Sequence, residues 1–427
     1  MKLLLVGGGA REHALAWKLS GERAVRELVC GPGNAGIAGL ARCVPLDVAD
    51  PEAILAVAER EHVDFTVVGP ELPLANGVAD VFAAAGRPLF GPRKAAARLE
   101  SSKVFAKRFM ARHGIPTARF RVCDTPAAAL AAVGGDEFGF PVVVKADGLA
   151  AGKGVTVAPD RETAEAAVRA AMVDGRFGAA GSSVVIEECL AGDEASFFVL
   201  CDGRSGLALP SAQDHKRAFD GDRGPNTGGM GAFAPSPLVS PALADRVMAE
   251  VVQPTLDGLR ADGAEYRGVL YVGLMLTRDG PQVIEFNVRF GDPEAQVVLP
   301  MIETDLAPIL FSAATGDLGA AAWRTAGDPH VGVVMASGGY PGKYETGHEI
   351  DGLAAAEAVP GVVVFHAGSR LQDGRIVTSG GRVLTVVGRG DTFGEARERA
   401  YRAAACISFP DKHVRTDIGM KAIDGGG

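Results

Sequence analysis

The stretch VVVKADGLAAGKGV, Val142–Val155, joins an apolar strand that carries Lys145 to a glycine-rich loop with a second lysine. A P-loop would require the pattern G-x-x-x-x-G-K-[ST]. Here Gly148 and Gly152 are separated by three residues rather than four, and Gly154 stands where the hydroxyl residue should be. The stretch is therefore not a P-loop, and the rest of the chain must supply its explanation.

The composition is that of a soluble globular protein, with 47% hydrophobic and 22% charged residues. A length of 427 residues predicts two to four domains, at about 100–200 residues each. The net charge of −9 disfavours nonspecific binding to nucleic acid. Six scattered cysteines without a C-x-x-C pair predict reduced thiols. No apolar run approaches the ~20 residues that cross a bilayer, and no targeting segment precedes the first strand, so we expect a cytoplasmic protein without a membrane partner.

The order of apolar strands and helical segments predicts three regions. Residues 1–102 alternate buried strands with helices, which predicts a doubly wound parallel sheet covered on both faces. Residues 103–325 form a central domain containing a small unit at about 116–190, and residues 326–427 a small α+β domain. Strands are predicted at 2–6, 87–92, 141–145, 154–158 and 183–188, and helices at 51–61, 101–114, 162–172, 240–260 and 393–406.

The glycine-rich stretch GGGAREH, residues 7–13, follows the first strand. A Rossmann fingerprint needs a third glycine at position 12, where Glu12 stands, and an acidic residue about 20 positions later, where Cys30–Gly31 lies. Dinucleotide binding is therefore disfavoured. What remains is either a helix N-terminus that binds an anion or a tight strand-to-helix turn without a ligand.

The stretch IEFNVRFGD, residues 284–292, gives a sharper signal. Strand alternation places Glu285, Asn287 and Arg289 on one face and an apolar set on the other. Glutamate and asparagine supply the hard oxygen ligands that suit Mg²⁺, while arginine supplies a bidentate fork for a carboxylate or phosphate. The alternative is a solvated strand face without a ligand.

A third stretch, VVIEECLAGDEASF at 184–197, runs from an apolar strand into acidic residues and a glycine turn. The backbone of Glu187–Leu190 could pair with a base, and Glu194 could accept hydrogen bonds from ribose hydroxyls. A strand end with solvated acids explains the same pattern equally well.

The segment from Gln213 to Gly231 contains QDHKR and GPNTGGMG. Its glycines, with Asn226 and Thr227, allow backbone amides to converge on an anion. A loop of this length inside a compact domain is either functional or disordered, and we favour a functional loop. Because His215 has no nucleophile elbow nearby, acyl-enzyme hydrolysis is not supported.

Ten stretches together resemble the phosphoribosylamine–glycine ligase family, also called the glycinamide ribonucleotide synthetases, of purine biosynthesis. They are GGGAREHALAWK, GPGNAG, VVGPELPL, KADGLAAGKGV, EASF, QDHKR, GPNTGGMGA, VIEFNVRFGDPE, VVMASGGYPG and FHAGS. They span nearly the whole chain in the order of the family, and QDHKR with GPNTGGMGA discriminates within the ATP-grasp superfamily. The resemblance implies an N-terminal doubly wound domain, a central ATP-grasp fold with a mobile small lobe, and a small C-terminal α+β domain.

The resemblance also implies a reaction. ATP phosphorylates the carboxylate of glycine to give glycyl phosphate and ADP, and the amine of 5-phosphoribosylamine then displaces phosphate to form glycinamide ribonucleotide. Such chemistry requires neutralised phosphoryl charge and exclusion of water. The implied cofactors are ATP, as a substrate, and Mg²⁺ or Mn²⁺, and we expect a monomer.

The resemblance assigns roles residue by residue. Lys103 and Lys145 resemble the nucleotide-phosphate lysines. The expected loop over the triphosphate is Gly148–Gly154, including Gly152 and Lys153, the expected adenine hinge is Glu187, Glu188 and Leu190, and the expected ribose acceptor is Glu194. The implied metal ligands are Glu285 and Asn287, and the implied catalytic side chains are Lys145, Lys216 and Arg289. The implied substrate contacts are Asp214, His215, Asn226, Thr227 and Arg289, with Gly8, Gly9, Asn34, Gly36 and Glu71 on the phosphoribosylamine side.

Three rival interpretations are weaker. A different ATP-grasp ligase, such as a biotin-dependent or purine carboxylase, should not carry QDHKR with GPNTGGMGA. A noncatalytic nucleotide-binding regulator could lose Lys145, Glu285 or Asn287, yet all three are present. A dehydrogenase lacks its glycine and its acidic residue. The one departure of note, Cys189 in place of an aromatic residue, does not affect the implied activity.

Overall fold

The computed structural model describes residues 1–135, 137–149 and 154–424. Its N-terminal region contains the strands β1 (Lys2–Gly7), β2 (Glu27–Pro32), β3 (Arg42–Cys43), β4 (Phe65–Val68) and β5 (Leu89–Phe90). Its helices are α1 (Ala10–Ser20), α2 (Pro51–Arg60), α3 (Glu71–Asn76), α4 (Val78–Ala84) and α5 (Lys94–Ser101). The strands form one parallel sheet in the order β3-β2-β1-β4-β5.

Burial on both faces of β1 explains the predicted arrangement. Leu3 and Leu5 pack into one core and Leu4 and Val6 into another, and all four are fully buried. Because a strand that is covered twice has no solvent face, its sequence reads as a continuous apolar run. The doubly wound parallel sheet is therefore confirmed.

The next segment is α6 (Lys103–Arg112), followed by a small lobe. The lobe contains β6 (Phe120–Cys123), α7 (Pro126–Gly134), β7 (Val142–Ala146), β8 (Val155–Ala158), α8 (Arg161–Met172) and β9 (Val184–Glu188). Its strands form an antiparallel sheet in the order β6-β9-β7-β8. The predicted helix over 101–114 is wrong at its start, because Ser101 ends α5 and the hydroxyl of Ser102 accepts from the Phe105 amide to begin a new helix.

The large lobe contains a hairpin of two long strands, β16 (Arg267–Thr277) and β17 (Gly280–Asn287). Its elements are β10 (Asp193–Asp202), β11 (Gly206–Ala208), β12 (Gln213–Asp214), β13 (Arg217–Phe219), β14 (Arg223–Asn226), β15 (Gly231–Ala234), α9 (Pro241–Val247), α10 (Gln253–Ala261), β16 (Arg267–Thr277), β17 (Gly280–Asn287), α11 (Glu294–Val298) and α12 (Leu306–Thr315). One sheet has the order β11-β10-β16-β17. The single helix predicted over 240–260 is divided, since a π-helical turn at Met248–Val252 separates α9 from α10.

The C-terminal region contains β18 (His330–Ala336), α13 (Leu353–Glu357), β19 (Val362–His366), β20 (Ser369–Gln372), β21 (Arg375–Thr378), β22 (Arg382–Arg389), α14 (Phe393–Cys406) and α15 (Met420–Asp424). Its sheet has the order β12-β15-β18-β22-β19. Two short strands from the large lobe therefore extend this sheet. The predicted loop over 213–231 is wrong in part, because β13 pairs with β14 inside it and β12 pairs with β15 across it.

The helix predicted over 393–406 is confirmed as α14, and the six cysteines are free thiols. In the part of the chain that is described, no helix is both long and apolar enough to span a membrane.

Candidate active site

Two of the predicted phosphate lysines are brought together by one aspartate. Lys103 begins α6, and Lys145 lies near the end of β7. Asp147, two residues beyond Lys145, accepts hydrogen bonds from the Val104 amide at 3.1 Å and from the Ser102 hydroxyl at 3.3 Å. Asp147 therefore connects the end of β7 to the start of α6, the two segments that carry these lysines.

Lys145 also belongs to a buried group of three charged side chains. Glu187 Oε2 lies 3.0 Å from Lys145 Nζ and 2.9 Å from Lys107 Nζ, and all three side chains are buried. Lys145 Nζ also donates to the Ile284 carbonyl at 3.0 Å, which connects the small lobe to β17. Burial lowers the pKa of Lys107 to about 8, with Glu187 opposing the shift and Lys145 adding to it.

Glu285 of β17 is the focus of several cations. Burial would raise the pKa of its carboxyl, but Lys216, Lys103, Lys145 and Arg289 together hold that pKa below its ordinary value. Three of these cations also pair with other carboxylates, so the group is a charge network rather than an isolated positive cluster. This convergence unites residues that the sequence places far apart.

The metal prediction fits the donor chemistry of β17. Glu285 and Asn287 are half-buried, and the alternation of the strand places them on one face. Both offer hard oxygen atoms, which Mg²⁺ prefers when phosphates and water complete its coordination shell. Within residues 1–135, 137–149 and 154–424, no three His, Cys, Asp or Glu side chains form a metal-binding group by themselves.

Arg289 lies beyond the end of β17, whose last residue is Asn287, and two carboxylates hold its guanidinium. Nη2 donates to Glu100 Oε1 at 2.7 Å, and Nε lies 3.4 Å from Glu71 Oε2. Burial opposes ionisation of Glu71, but Arg289 and Arg11 outweigh burial and lower its pKa to about 2. Glu71, which is predicted to contact substrate, therefore forms an ion pair with Arg289. Arg289 together with Glu71 and Glu100 is called the arginine clamp below.

The QDHKR segment contributes a second cluster of charged side chains. Lys216 pairs with Glu194, and its Nζ lies 3.9 Å from Asp214 Oδ1. Burial, together with the nearby Glu294, raises the pKa of Asp214 to about 7 although Lys216 opposes the shift. His215 is almost completely buried, and burial lowers its pKa to about 4.

The predicted anion site at the start of α1 is occupied by the chain itself. Glu12 Oε2 accepts from the Gly9 amide at 2.6 Å, and Glu12 Oε1 accepts from Arg11 Nε at 2.6 Å. A Cβ atom at Gly7 or Gly69 would lie within 2.5 Å of the Glu12 side chain. These two glycines therefore make room for a buried carboxylate that accepts from the Gly9 amide, and contact of Gly8 and Gly9 with substrate stays a prediction.

The other residues predicted on the phosphoribosylamine side join three loops. The Asn34 side chain donates to the Gly8 carbonyl at 2.9 Å and to the His366 carbonyl at 2.7 Å, and accepts from the Gly36 amide at 3.0 Å. A Cβ atom at Gly36 would lie 2.2 Å from His13 Cε1. Close packing between the N-terminal and C-terminal regions thus explains these residues structurally, and their contact with substrate stays a prediction.

The remaining predicted residues lie on β9, on β14 and in the segments beside them. Thr227 is buried and its hydroxyl donates to the Lys216 carbonyl at 2.9 Å, whereas Asn226 is half-buried. Glu188 Oε2 accepts from Arg119 Nε at 2.7 Å. The half-buried Leu190 follows β9, and the flanking Gly148 and Gly154 belong to the glycine-rich loop. Gly152 and Lys153 lie outside the described residues.

Sequence reasoning missed several charged partners of these residues. They are Arg11, Glu100, Lys107, Asp292, Glu294 and Arg382. Lys107 had a detectable signal, since it interrupts the buried face of α6 between Ala106 and Phe109. Arg382 had none, because its Nη1 reaches the carbonyls of Gly228 and Asp292 from a distant strand.

Comparisons with known proteins show what the whole chain is similar to. Family models described as phosphoribosylglycinamide synthetase N domain, ATP-grasp (A) domain and C domain match residues 1–100, 101–295 and 330–421. A phosphoribosylamine–glycine ligase of Xylella fastidiosa is 50% identical over 99% of this chain and 98% of its own length. Another, of Allochromatium vinosum, is 51% identical over 99% of each chain.

Solved structures show the same fold. The crystal structure of a phosphoribosylamine–glycine ligase from Thermotoga maritima has a TM-score of 0.85 and 35% identity, covering 98% of this chain and 100% of that one. The biotin carboxylase domain of a Hydrogenobacter thermophilus carboxylase has a TM-score of 0.74 at 18% identity, covering 97% and 91%, and shares the fold alone. With three family domains and relatives at half identity along its length, the chain belongs to the phosphoribosylglycinamide synthetase family.

Proposed function

We propose that this protein ligates glycine to 5-phosphoribosylamine at the expense of ATP, through glycyl phosphate, in de novo purine biosynthesis. The observation that carries the proposal is the hydrogen bond from Lys145 Nζ to the Ile284 carbonyl at 3.0 Å, which joins the predicted phosphate lysine to the strand that carries Glu285 and Asn287. A carboxylate attacks a phosphoryl group poorly unless charge on the transferred group is neutralised. Lys103, Lys145 and Arg289 would supply that neutralisation.

In the proposed reaction, a carboxylate oxygen of glycine attacks the γ-phosphorus of ATP, and ADP leaves. The amine nitrogen of phosphoribosylamine then attacks the carbonyl carbon of glycyl phosphate, phosphate leaves, and the nitrogen loses a proton. Lys103 and Lys145 would bind the nucleotide phosphates, and Arg289 would hold the glycine carboxylate or the transferred phosphoryl group. Water must be excluded because it would hydrolyse the acyl phosphate.

Glu285 and Asn287 would hold a divalent cation, Mg²⁺ or Mn²⁺. Once bound, the cation neutralises phosphate charge and orients the triphosphate. Glu187, Glu188 and Leu190 would contact the adenine. Glu194 reaches Lys216, so this pair connects the ribose side of the nucleotide to the glycine side. Monomeric state and cytoplasmic location stay predictions.

The test is phosphate release measured with each substrate omitted in turn. We expect release to require ATP, a divalent cation, glycine and phosphoribosylamine together. Glu285→Gln and Asn287→Ala should each lower the rate by at least about a hundredfold while far-UV circular dichroism is unchanged. The exposed carboxylate of Glu303 offers a control, and Glu303→Gln should retain wild-type turnover. Phosphate release without glycine would contradict the proposal, and normal turnover in both β17 variants would remove them from the metal site.

A further inference from the structure

The two oxygen atoms of the Glu187 carboxylate have different surroundings. Its Oε2 atom lies 3.0 Å from Lys145 Nζ and 2.9 Å from Lys107 Nζ, so one oxygen serves two ammonium groups. Its Oε1 atom is buried and has no hydrogen-bond partner among the residues that the structure describes. Because a buried carboxylate normally has both oxygens satisfied, this geometry indicates that the group serves more than packing.

Lys107 is fixed where it can act only on its neighbours. Its Nζ donates to the Thr117 hydroxyl at 2.7 Å, and that hydroxyl donates to the Val283 carbonyl at 2.6 Å. Only 2% of Lys107 is exposed. Its ammonium group is therefore buried beside Thr117 and Glu187, and the Thr117 hydroxyl anchors this group to β17.

The net charge of Lys107, Lys145 and Glu187 shows what Lys107 contributes. Lys145 and Glu187 alone would form a neutral pair with little net attraction for a phosphate. Two ammonium groups and one carboxylate leave a net charge of +1. Because Glu187 is shared with Lys107, it does not hold Lys145 alone. The remaining N–H of Lys145 is then available to a phosphate.

We propose that Lys107 is a positioning residue for the nucleotide: by offsetting the charge of Glu187, it keeps Lys145 available to the nucleotide phosphates. This inference rests on the proposed function, in which Lys145 binds those phosphates. It goes further because Lys107 touches no substrate and acts only through its neighbours. It also makes a distinctive prediction, namely that Lys107 matters for charged nucleotides and not for the uncharged nucleoside.

The experiment measures dissociation constants for MgADP and for adenosine, by competition against a fluorescent ATP analogue. Lys107→Met should weaken MgADP binding by about tenfold, the scale of one unit charge acting over roughly 10 Å at an effective dielectric constant near 20. Adenosine binding should stay within about twofold of wild type. Arg108→Met removes an exposed cation from the same helix and should leave both constants within about twofold.

The double variant Lys107→Met/Glu187→Gln returns the net charge of the cluster to +1. It should restore the ratio of the MgADP and adenosine constants to the wild-type value, and it keeps the inference testable if the single variant does not fold. Equal weakening of both ligands by Lys107→Met, or no weakening, would overturn the inference, as would a ratio of the MgADP to the adenosine dissociation constant that stays about tenfold above wild type in the double variant. Absence of MgADP binding by the wild-type protein would instead overturn the proposed function itself.

Discussion

The arginine clamp offers a quantitative test through Glu100, a residue that touches no predicted ligand. Glu100 lies in α5, is 7% exposed, and accepts from Arg289 Nη2 through one oxygen and from the Val288 amide through the other, both at 2.7 Å. Glu100→Gln keeps the shape of the side chain but supplies only one acceptor oxygen. Its NH₂ group must then face either the guanidinium or the amide, donor against donor.

The size of the effect follows from these two contacts. A hydrogen bond to a charged group contributes about 1.5–3 kcal/mol, and Glu100→Gln removes one and neutralises the other. If Arg289 loses that amount of positioning in the transition state, kcat/KM for glycine or phosphoribosylamine should fall roughly 10- to 150-fold. The thermal midpoint should also fall by several degrees, because a buried charge pair is broken.

Steady-state kinetics with each substrate varied would measure the first effect, and thermal unfolding the second. Glu250→Gln is the matched control, since Glu250 also accepts from an arginine, Arg246 Nε, at 2.9 and 3.0 Å but on an exposed helix face. An exposed pair contributes at most about 1 kcal/mol, so this variant should resemble wild type in both assays. A Glu100→Gln enzyme with kcat/KM within twofold of wild type would refute the positioning argument, whatever its stability.

Three further predictions concern the contact between the N-terminal and C-terminal regions. Gly36→Ala should destabilise the protein by about 1–3 kcal/mol, because the new Cβ would lie 2.2 Å from His13 Cε1 and 2.7 Å from His366 Cδ2. Thermal unfolding measures this effect, and an unchanged midpoint would contradict it. Gly39→Ala, where nothing lies within 4 Å of the new Cβ, should be neutral or slightly stabilising in the same assay, and strong destabilisation would show that the backbone rather than the rings is limiting. Burial, with His366 adding repulsion, lowers the pKa of His13 to about 3, and burial lowers that of His366 to about 4. Their contribution to stability is therefore complete above the ordinary histidine pKa of about 6.5 and is lost as the pH falls toward 4, so the midpoint should drop across that window, and less steeply in His366→Gln.

Local patterns in the sequence were sufficient for much of the fold. The doubly wound sheet followed from continuous apolar runs such as residues 2–6, because a strand covered on both faces has no polar positions. The face shared by Glu285 and Asn287 followed from the period of two in a strand. Helix α14 was predicted with its bounds, since its apolar positions repeat at helical spacing.

The same methods failed where a segment takes its partner from far along the chain. The segment at 213–231 read as a loop because its strands are very short, and β15 is a strand only through its pairing with β18 on one side and β12 on the other. At the break between α5 and α6, Ser102 caps the Phe105 amide locally, but its hydroxyl also donates to Asp147, which lies 45 residues away. Local propensity carries no information about such partners.

The amino-acid sequence by itself determined the residue types of the site and the order of its motifs, and with them the family. Only the tertiary structure decided which charges meet. Glu100 reaches Arg289 across 189 residues, Glu12 fills the helix terminus that glycines seemed to leave open, and Lys107 joins Lys145 on one oxygen of Glu187. The physical reason is that Coulombic and hydrogen-bonding interactions depend on distances of a few ångströms, and those distances exist only after the chain has folded.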